Sequence, residues 1–252
     1  MANRANRPVM IDAINTAVTL IEVQSPNATG ILQTIGTATG FFYTTQESKY
    51  LITNKHVVAL AENYKPTSLR IKVHTNPNSL IQNRFINIPL YDNANNKLWL
   101  EHPTRASVDV MAIDITGLKQ QTDVVFYFSQ NNFLPNNVTI MLMDNCAIIG
   151  YPLGFHDHVH NLPITRLGAI ASAYGSHFRG EPLFLVDARL HSGTSGSPVI
   201  LPSSSMRQIA GGIALGRSPH YLLGINSGEY HVGGNSLGLN AVWYSSLIQD
   251  IV

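Results

Sequence analysis

Charge is scarce in this sequence. Lys, Arg, Asp and Glu make up only 12% of the 252 residues, about half of the ~25% that is usual for soluble proteins. The 16 basic residues are balanced by 15 acidic residues, which leaves a formal net charge of +1. Proteins that bind nucleic acid or anionic membranes through electrostatics normally carry a basic excess. We therefore expect neither nucleic acid nor a membrane among the partners.

Cysteine and long hydrophobic runs are also lacking. The single Cys146 excludes a disulfide within the chain and any metal site built from several thiolates. No run approaches the ~18 apolar residues of a membrane-spanning helix. The N-terminal apolar stretch is interrupted by Asp12, Asn15 and Glu22, so it lacks the continuous apolar centre of a signal peptide. These absences predict a cytoplasmic protein.

Short β-like segments dominate what is present. Hydrophobic residues make up 44% of the chain, enough for a sizeable core. Runs rich in β-branched and aromatic residues recur between clusters of Gly, Asn, Pro and Ser, which is typical of an all-β barrel or sandwich. Helical periodicity is confined to the two ends, at 12–17 and at 243–252. The predicted strands include 17–23, 40–43, 50–53, 69–73, 108–115, 147–149, 183–186, 198–201 and 221–225.

The strongest chemical signal is the segment GTSGSP at 193–198. A serine hydroxyl is a weak nucleophile until a base and a tight turn activate it, and glycines on both sides of Ser195 permit such a turn. The N–H groups of Gly193 and Ser195 can then converge as an oxyanion hole. The α/β-hydrolase pattern G-x-S-x-G fails because Ser197 occupies its last position. The alternative is an ordinary Gly-Ser turn between strands.

Two other polar residues lie beside β-like runs. His56 follows LITN at 51–54 and is a candidate general base. Asp109 stands among apolar residues, where a carboxylate is costly unless it is paired, and orienting a histidine would pair it. A structural histidine and a turn aspartate remain open as alternatives, with Asp114 as the rival carboxylate. The order His, Asp, Ser is that of the chymotrypsin arrangement.

The sequence resembles the trypsin-like serine proteases, and among them the protease domain of the HtrA (high-temperature-requirement) type. The resemblance covers nearly the whole chain, and it lies in TGFFY at 39–43, YLITNKHVV at 50–58, SVDVMAIDI at 107–115, IGYPLG at 149–154, VDARLHSGTSGSPVI at 186–200 and LLGINSG at 222–228. It implies an all-β fold of two six-stranded antiparallel β-barrels with a short C-terminal helix. The single domain would comprise an N-terminal barrel at about 15–118, a linker at about 119–137, a C-terminal barrel at about 138–242 and the helix at about 243–252.

The resemblance also implies peptide-bond hydrolysis through an acyl-enzyme, with no cofactor and no metal. His56 would be the general base, Asp109 would orient it, and Ser195 would be the nucleophile. Gly193 and Ser195 would supply the oxyanion hole. The partner would be a polypeptide substrate. A homo-oligomer or an activating partner protein is also conceivable.

Four residues are predicted to bind substrate. Asn226, Ser227 and Gly228 would line the strand edge that pairs with an extended peptide. Arg189 stands six positions before the nucleophile, where the resemblance places the base of the specificity pocket. An arginine there favours an acidic side chain, whereas the HtrA type takes small aliphatic side chains, so both preferences stay open. An ion pair with Asp187 would remove Arg189 from this role.

The chain departs from its relatives in two ways. It ends at Val252, so we expect no peptide-binding PDZ domain after the protease. Thr194 stands where the chymotrypsin type has the aspartate of its activation switch, so no N-terminal cleavage should be required. Separately, His156, His158 and His160 alternate; a zinc or copper patch is conceivable, but solvated loop histidines are expected.

Three functions are therefore compared. The first is a constitutively active serine endopeptidase. The second is an effector protease that stays inactive until a partner or a ligand orders its active site. The third is a non-catalytic module that binds peptides by strand addition, which would not need all three triad residues.

Overall fold

Strands dominate the secondary structure of the protein, which is all-β as predicted. The computed structural model describes residues 12–59 and 65–252. Its strands are β1 (Val18–Pro26), β2 (Leu32–Thr44), β3 (Lys49–Thr53), β4 (Ser68–His74), β5 (Asn83–Pro89), β6 (Trp99–Glu101), β7 (Met111–Asp114), β8 (Asn145–Gly150), β9 (Ile164–Ile170), β10 (Leu183–Asp187), β11 (Pro198–Leu201), β12 (Met206–Ile209), β13 (Gly212–Leu215), β14 (Tyr221–Val232) and β15 (Asn235–Tyr244).

Helical structure is confined to short pieces. The α-helix α1 spans Leu247–Ile251. Single turns of 3₁₀-helix lie at Ala13–Ala17, Lys55–Val57, Thr116–Leu118, Gln130–Asn132, Pro152–Gly154 and Phe178–Gly180. Within the described ranges, no helix is long and apolar enough to cross a membrane.

The N-terminal half forms one sheet of seven antiparallel strands, in the order β5-β4-β1-β2-β3-β7-β6. The prediction was a closed barrel of six strands, whereas the observed sheet has seven strands and is not closed. The additional strand is β6, which pairs with β7 and buries Trp99 against the core. The edge strands β5 and β6 are joined by the loop 90–98, where the N–H of Leu98 donates to the carbonyl of Leu90 at 3.0 Å. The sheet therefore curls toward itself without a continuous ladder between its edges.

The C-terminal half closes into the predicted six-stranded barrel, in the order β10-β15-β14-β11-β8-β9. The ribbon β12–β13 is a separate two-stranded sheet. A hydrophobic cluster joins the two halves, because Phe41 and Ile52 of the first sheet pack with Ile149 and Leu222 of the barrel. The two sheets thus share a core, and loops from both reach the same rim of it.

The C-terminal helix begins later than predicted. Trp243 pairs with Ile225 and Tyr244 pairs with Gly224, so β15 continues through the first residues of the predicted helix. The helix α1 begins only at Leu247. Trp243, Leu247 and Ile251 are all buried, as their four-residue spacing indicates.

A buried ion pair fixes the segment between the two sheets. The guanidinium of Arg84, on β5, donates to both carboxylate oxygens of Asp123 at 2.6 and 2.5 Å and to the carbonyl of Leu118 at 3.0 Å. The Asp123 side chain is only 1% exposed. Burial by itself raises the pKa of this carboxyl, but the hydrogen bonds and charge of Arg84 outweigh burial, so the pKa lies below its usual value.

Replacing Arg84 by methionine should lower the free energy of unfolding by about 3 kcal/mol, since it leaves the buried carboxylate without its partner. Because the folded-state pKa of Asp123 is depressed, the pair stabilises fully above pH ~4 and loses its effect as the pH falls through that pKa. Urea unfolding should therefore show a difference in the free energy of unfolding between the wild type and Arg84→Met at neutral pH. This difference should become smaller in acid. Arg217→Met, at an exposed arginine, is the control. An equal difference at both pH values would contradict a stabilising role for the Arg84–Asp123 ion pair.

Candidate active site

A histidine and a carboxylate meet where two paired strands end. His56 lies on the 3₁₀ turn just after β3, and Asp109 lies just before β7, the neighbour of β3. Nδ1 of His56 is 2.6 Å from Oδ2 of Asp109, and the main-chain N–H of His56 donates to Oδ1 at 2.8 Å. With the Nδ1 proton donated to the carboxylate, Nε2 of a neutral imidazole is left as the proton acceptor. The histidine side chain is 48% exposed, so Nε2 is accessible.

The Asp109 carboxylate is held in its ionised form. The hydroxyl of Ser227 donates to Oδ2 at 2.6 Å, and the side-chain amide of Asn54 donates to the Asp109 carbonyl at 2.7 Å. Burial favours a higher pKa, but the hydrogen bonds and charge of His56, with the Ser227 hydroxyl, hold the pKa of Asp109 below its usual value. The rival Asp114 is exposed and accepts the N–H of Thr116, which is the behaviour of a turn aspartate.

The segment 193–198 forms a tight turn between β10 and β11. Gly193 has φ +91°, and a Cβ there would lie 2.5 Å from the carbonyl oxygen of Tyr151, so the turn requires glycine at this position. Four successive carbonyls accept hydrogen bonds from outside the turn: Ser192 from the N–H of Leu153 (2.6 Å), Gly193 from the hydroxyl of Thr39 (2.7 Å), Thr194 from the amide of Asn226 (3.0 Å) and Ser195 from the N–H of Thr39 (2.9 Å).

Two N–H groups of this turn have no acceptor. Among the described residues, neither the N–H of Gly193 nor that of Ser195 donates a hydrogen bond within the protein. Because the peptide bonds are trans, each N–H points away from the carbonyl of the preceding residue. The carbonyls of Ser192 and Thr194 are held by Leu153 and Asn226, so both N–H groups face the other way. Such a pair of free donors can bind an oxyanion.

The Ser195 hydroxyl does not point at the histidine. Its Oγ donates to the carbonyl of Ser227 at 3.0 Å, and among the described side chains Nε2 of His56 has no hydrogen-bond partner. Ser227 also binds Asp109 through its own hydroxyl, so it links the serine to the carboxylate. Before it can bind His56, the Ser195 hydroxyl must leave the Ser227 carbonyl.

The three residues of the predicted substrate-binding edge differ in burial and in hydrogen bonding. Asn226 is 1% exposed, and its main-chain N–H and carbonyl bind Ser197 (2.9 Å) and Gly196 (2.8 Å) of the turn. These groups are therefore occupied within the protein. Pairing of β14 with β11 ends at Ile225, and Gly228 is exposed at a bulge of β14. The edge that remains open to a peptide begins at Ser227.

The side chain of Arg189 is exposed at the end of β10. Asp187 is exposed as well, and within the described ranges the two residues form no ion pair with each other. The interaction that would have removed Arg189 from a role in specificity is thus not formed. The choice between acidic and small aliphatic substrate side chains stays a prediction.

The three alternating histidines use their Nδ1 atoms locally or lie exposed. Nδ1 of His156 is 2.7 Å from the carbonyl of Gly154, and Nδ1 of His160 is 2.7 Å from Oδ2 of Asp157. The rings of His156 and His158 lie 4.2 Å apart. In the part of the chain that the structure describes, no three His, Cys, Asp or Glu side chains form a group that could hold a metal ion.

Sequence reasoning missed two residues that shape the turn. Thr39 is fully buried on β2 and contacts the turn with both its hydroxyl and its N–H. Because β2 contains several other threonines, the sequence offers no signal that singles out Thr39. Leu153 donates its N–H to the Ser192 carbonyl from a left-handed conformation with φ 54°. Only the PLG sequence around it hints at an unusual turn.

Comparisons with known proteins identify the fold and the family. The HtrA-type protease AlgW, whose structure was determined as a variant with a tripeptide, matches this chain with a TM-score of 0.52 at 16% sequence identity. The match covers 95% of this chain and 62% of that one, so this chain spans less than two thirds of that protein's length. At this identity the likeness is one of fold. No curated protein sequence matches the chain. The family model of the trypsin-like peptidase domain matches residues 38–206, more than half of the sequence, and the chain therefore belongs to that family.

Proposed function

We propose that this chain is a serine endopeptidase that hydrolyses peptide bonds of extended or unfolded polypeptides. The observation that carries the proposal is the pairing of His56 with an ionised Asp109 at 2.6 Å. The pair lies on the same rim as a turn with two N–H groups that have no acceptor among the described residues. A base with a fixed tautomer and an anion-binding turn are what acyl transfer by a serine requires. Membership of the trypsin-like peptidase family supports the same reaction.

Each residue has a defined step in this mechanism. After its hydroxyl turns toward His56, Ser195 Oγ attacks the carbonyl carbon of the substrate, and its proton passes to Nε2 of His56. Asp109 stabilises the imidazolium, while the N–H groups of Gly193 and Ser195 bind the developing oxyanion. His56 then returns the proton to the leaving amine as the peptide bond breaks. Water, activated in the same way, hydrolyses the acyl-enzyme and restores the serine.

The substrate would bind as an added strand. The edge of β14 from Ser227 onward has main-chain groups next to the turn, and an extended peptide pairs with such an edge through its own main chain. A folded protein keeps its main chain in its own ladders. Extended or unfolded segments are therefore the substrates that this edge favours.

A second candidate is the same chemistry held inactive at rest. The hydrogen bond from Ser195 Oγ to the Ser227 carbonyl favours it, because this bond must break before the serine can transfer a proton to His56. A partner or ligand that binds near Leu153, whose N–H holds the Ser192 carbonyl, would then act on the turn. Constitutive hydrolysis of many unfolded substrates by the pure protein would contradict this candidate.

Labelling with a fluorophosphonate probe, followed by intact-mass measurement, tests the proposal. Such probes phosphonylate a serine only where a base and an oxyanion hole activate it. Stoichiometric labelling of the wild type, absent in Ser195→Ala, is the expected result. Slow labelling that an added peptide or partner accelerates would favour the second candidate. No labelling with or without unfolded polypeptide would overturn the proposal and favour a peptide-binding module.

A further inference from the structure

Asn226 has a buried polar side chain directed at the turn of the nucleophile. The residue is 1% exposed, and its Nδ2 donates to the Thr194 carbonyl at 3.0 Å. Its Oδ1 is buried and, among the described groups, has no hydrogen-bond partner. A buried oxygen without a partner lowers stability. The contribution of this amide is therefore the hydrogen bond that Nδ2 donates to the turn.

The contact fixes the direction of one specific N–H group. Thr194 and Ser195 share a trans peptide group, in which the carbonyl and the N–H point in opposite directions. While the Asn226 side chain binds the Thr194 carbonyl, the N–H of Ser195 must point away from that side chain. The N–H of Ser197 also donates to this carbonyl at 3.1 Å, but it belongs to the same turn and moves with it. Asn226 instead ties the peptide to the barrel.

We propose that Asn226 is a positioning residue that sets the Ser195 N–H donor of the oxyanion hole. The inference rests on the proposed serine hydrolase function and adds a role to it. The corresponding carbonyl on the other side of the hole, that of Ser192, is held by the main chain of Leu153. A side chain therefore controls one donor, and the main chain controls the other. Only the first can be removed by substitution without altering the backbone.

Asn226→Leu is the direct test, because leucine has the same branched side-chain skeleton and cannot donate. The main-chain bonds of Asn226 to Gly196 and Ser197 remain, so the substitution isolates the amide. Loss of a whole oxyanion-hole donor costs ~10²–10³ in kcat, and loss of its orientation should cost less, about 10- to 100-fold. KM should stay within about twofold, since ground-state binding does not use this donor. A peptide boronic acid, which mimics the tetrahedral state, should bind more weakly by the factor lost in kcat.

Asn240→Leu is the matched control. Asn240 lies on the neighbouring strand β15, is 2% exposed, and donates its side-chain amide at 2.6 Å to the carbonyl of Ala188, outside the turn. If Asn226 served only to stabilise the barrel, both variants would lose activity in proportion to their loss in Tm. We expect kcat of Asn240→Leu to stay within about threefold of the wild type. Equal kcat and boronate affinity in the two variants would overturn the inference.

The outcome separates this inference from the proposed function. If the wild type reacts with the fluorophosphonate and Asn226→Leu reacts at the same rate, the function stands and the positioning role fails. If the wild type does not react, the function fails, and a crystal structure of Asn226→Leu then decides the positioning role. In that structure a reoriented Thr194–Ser195 peptide supports the role of the amide, and an unchanged peptide overturns it.

Discussion

Replacing Ser195 by alanine is expected to lower kcat for peptide and ester hydrolysis by about a million-fold. In the serine hydrolase template, removing the nucleophile costs roughly 10⁶, and a small residual rate comes from the oxyanion hole and binding. The single cysteine of the sequence is not expected to take over the reaction. The thiol of Cys146 is buried, and burial raises its pKa to about 12, so it stays protonated at neutral pH. Hydrolysis of a chromogenic peptide, with active-site titration, measures the change.

Ser197→Ala is the control for this substitution. Ser197 lies two positions further along the same turn, is fully buried, and its hydroxyl has no hydrogen-bond partner among the described groups. Removing that hydroxyl should leave kcat within about threefold of the wild type and leave Tm unchanged or higher. A loss at Ser195 no larger than the loss at Ser197 would show that the reaction uses another nucleophile.

Replacing Asp109 by asparagine is expected to lower kcat by about 10⁴, with little change in Tm. The amide can donate to Nδ1 of His56, which places the imidazole proton on Nε2, the atom that must accept the serine proton. Because hydrogen bonds and the charge of His56 overcome burial and lower the pKa of Asp109, the wild-type carboxylate stays ionised above pH ~4. The defect should therefore persist across the whole neutral and alkaline range of a pH–rate profile.

Asp114→Asn supplies the comparison. This aspartate is exposed, lies five positions after Asp109, and accepts the N–H of Thr116 at 2.7 Å. Its substitution should change kcat by less than about twofold, as usual for a surface site away from the chemistry. An Asp114→Asn variant that loses as much activity as Asp109→Asn would mean that the wrong carboxylate has been assigned.

The fold was predictable where β-branched and aliphatic residues predominate along a run. Runs such as AVTLIEV and VDVMAIDI predict β1 and β7, because the residue types within each run are enough to indicate a strand. The strands β5, β6, β9, β12, β13 and β15 were missed because Asn, Gly and charged residues break their patterns. Their outward faces are solvated, and only pairing with neighbours makes them strands. The helix start at Leu247 was misplaced for the same reason, since pairing of Trp243 with Ile225 overrides local periodicity.

The candidate site divides in the same way. The glycines next to Ser195 indicate a tight turn from the local sequence alone. His56 and Asp109 each lie beside a strand that the sequence predicts. The support of the turn could not be predicted, because it is made by contacts between distant segments. The hydroxyl of Thr39 reaches Gly193 across 154 positions, and the amide of Asn226 reaches Thr194 across 32. No local pattern specifies which carbonyl a buried polar side chain will meet.

The contacts of Thr39 have a consequence for the synthesis of this protein. Thr39 comes from the first sheet, Leu153 from the start of the second half, and Asn226 from β14, which follows the serine turn in the chain. The turn that they hold together is therefore incomplete until β14 has been made. A nascent chain, or a proteolytic fragment that ends before Asn226, has the serine but lacks the framework that directs it. The proposed activity would thus arise only after β14 has been synthesised.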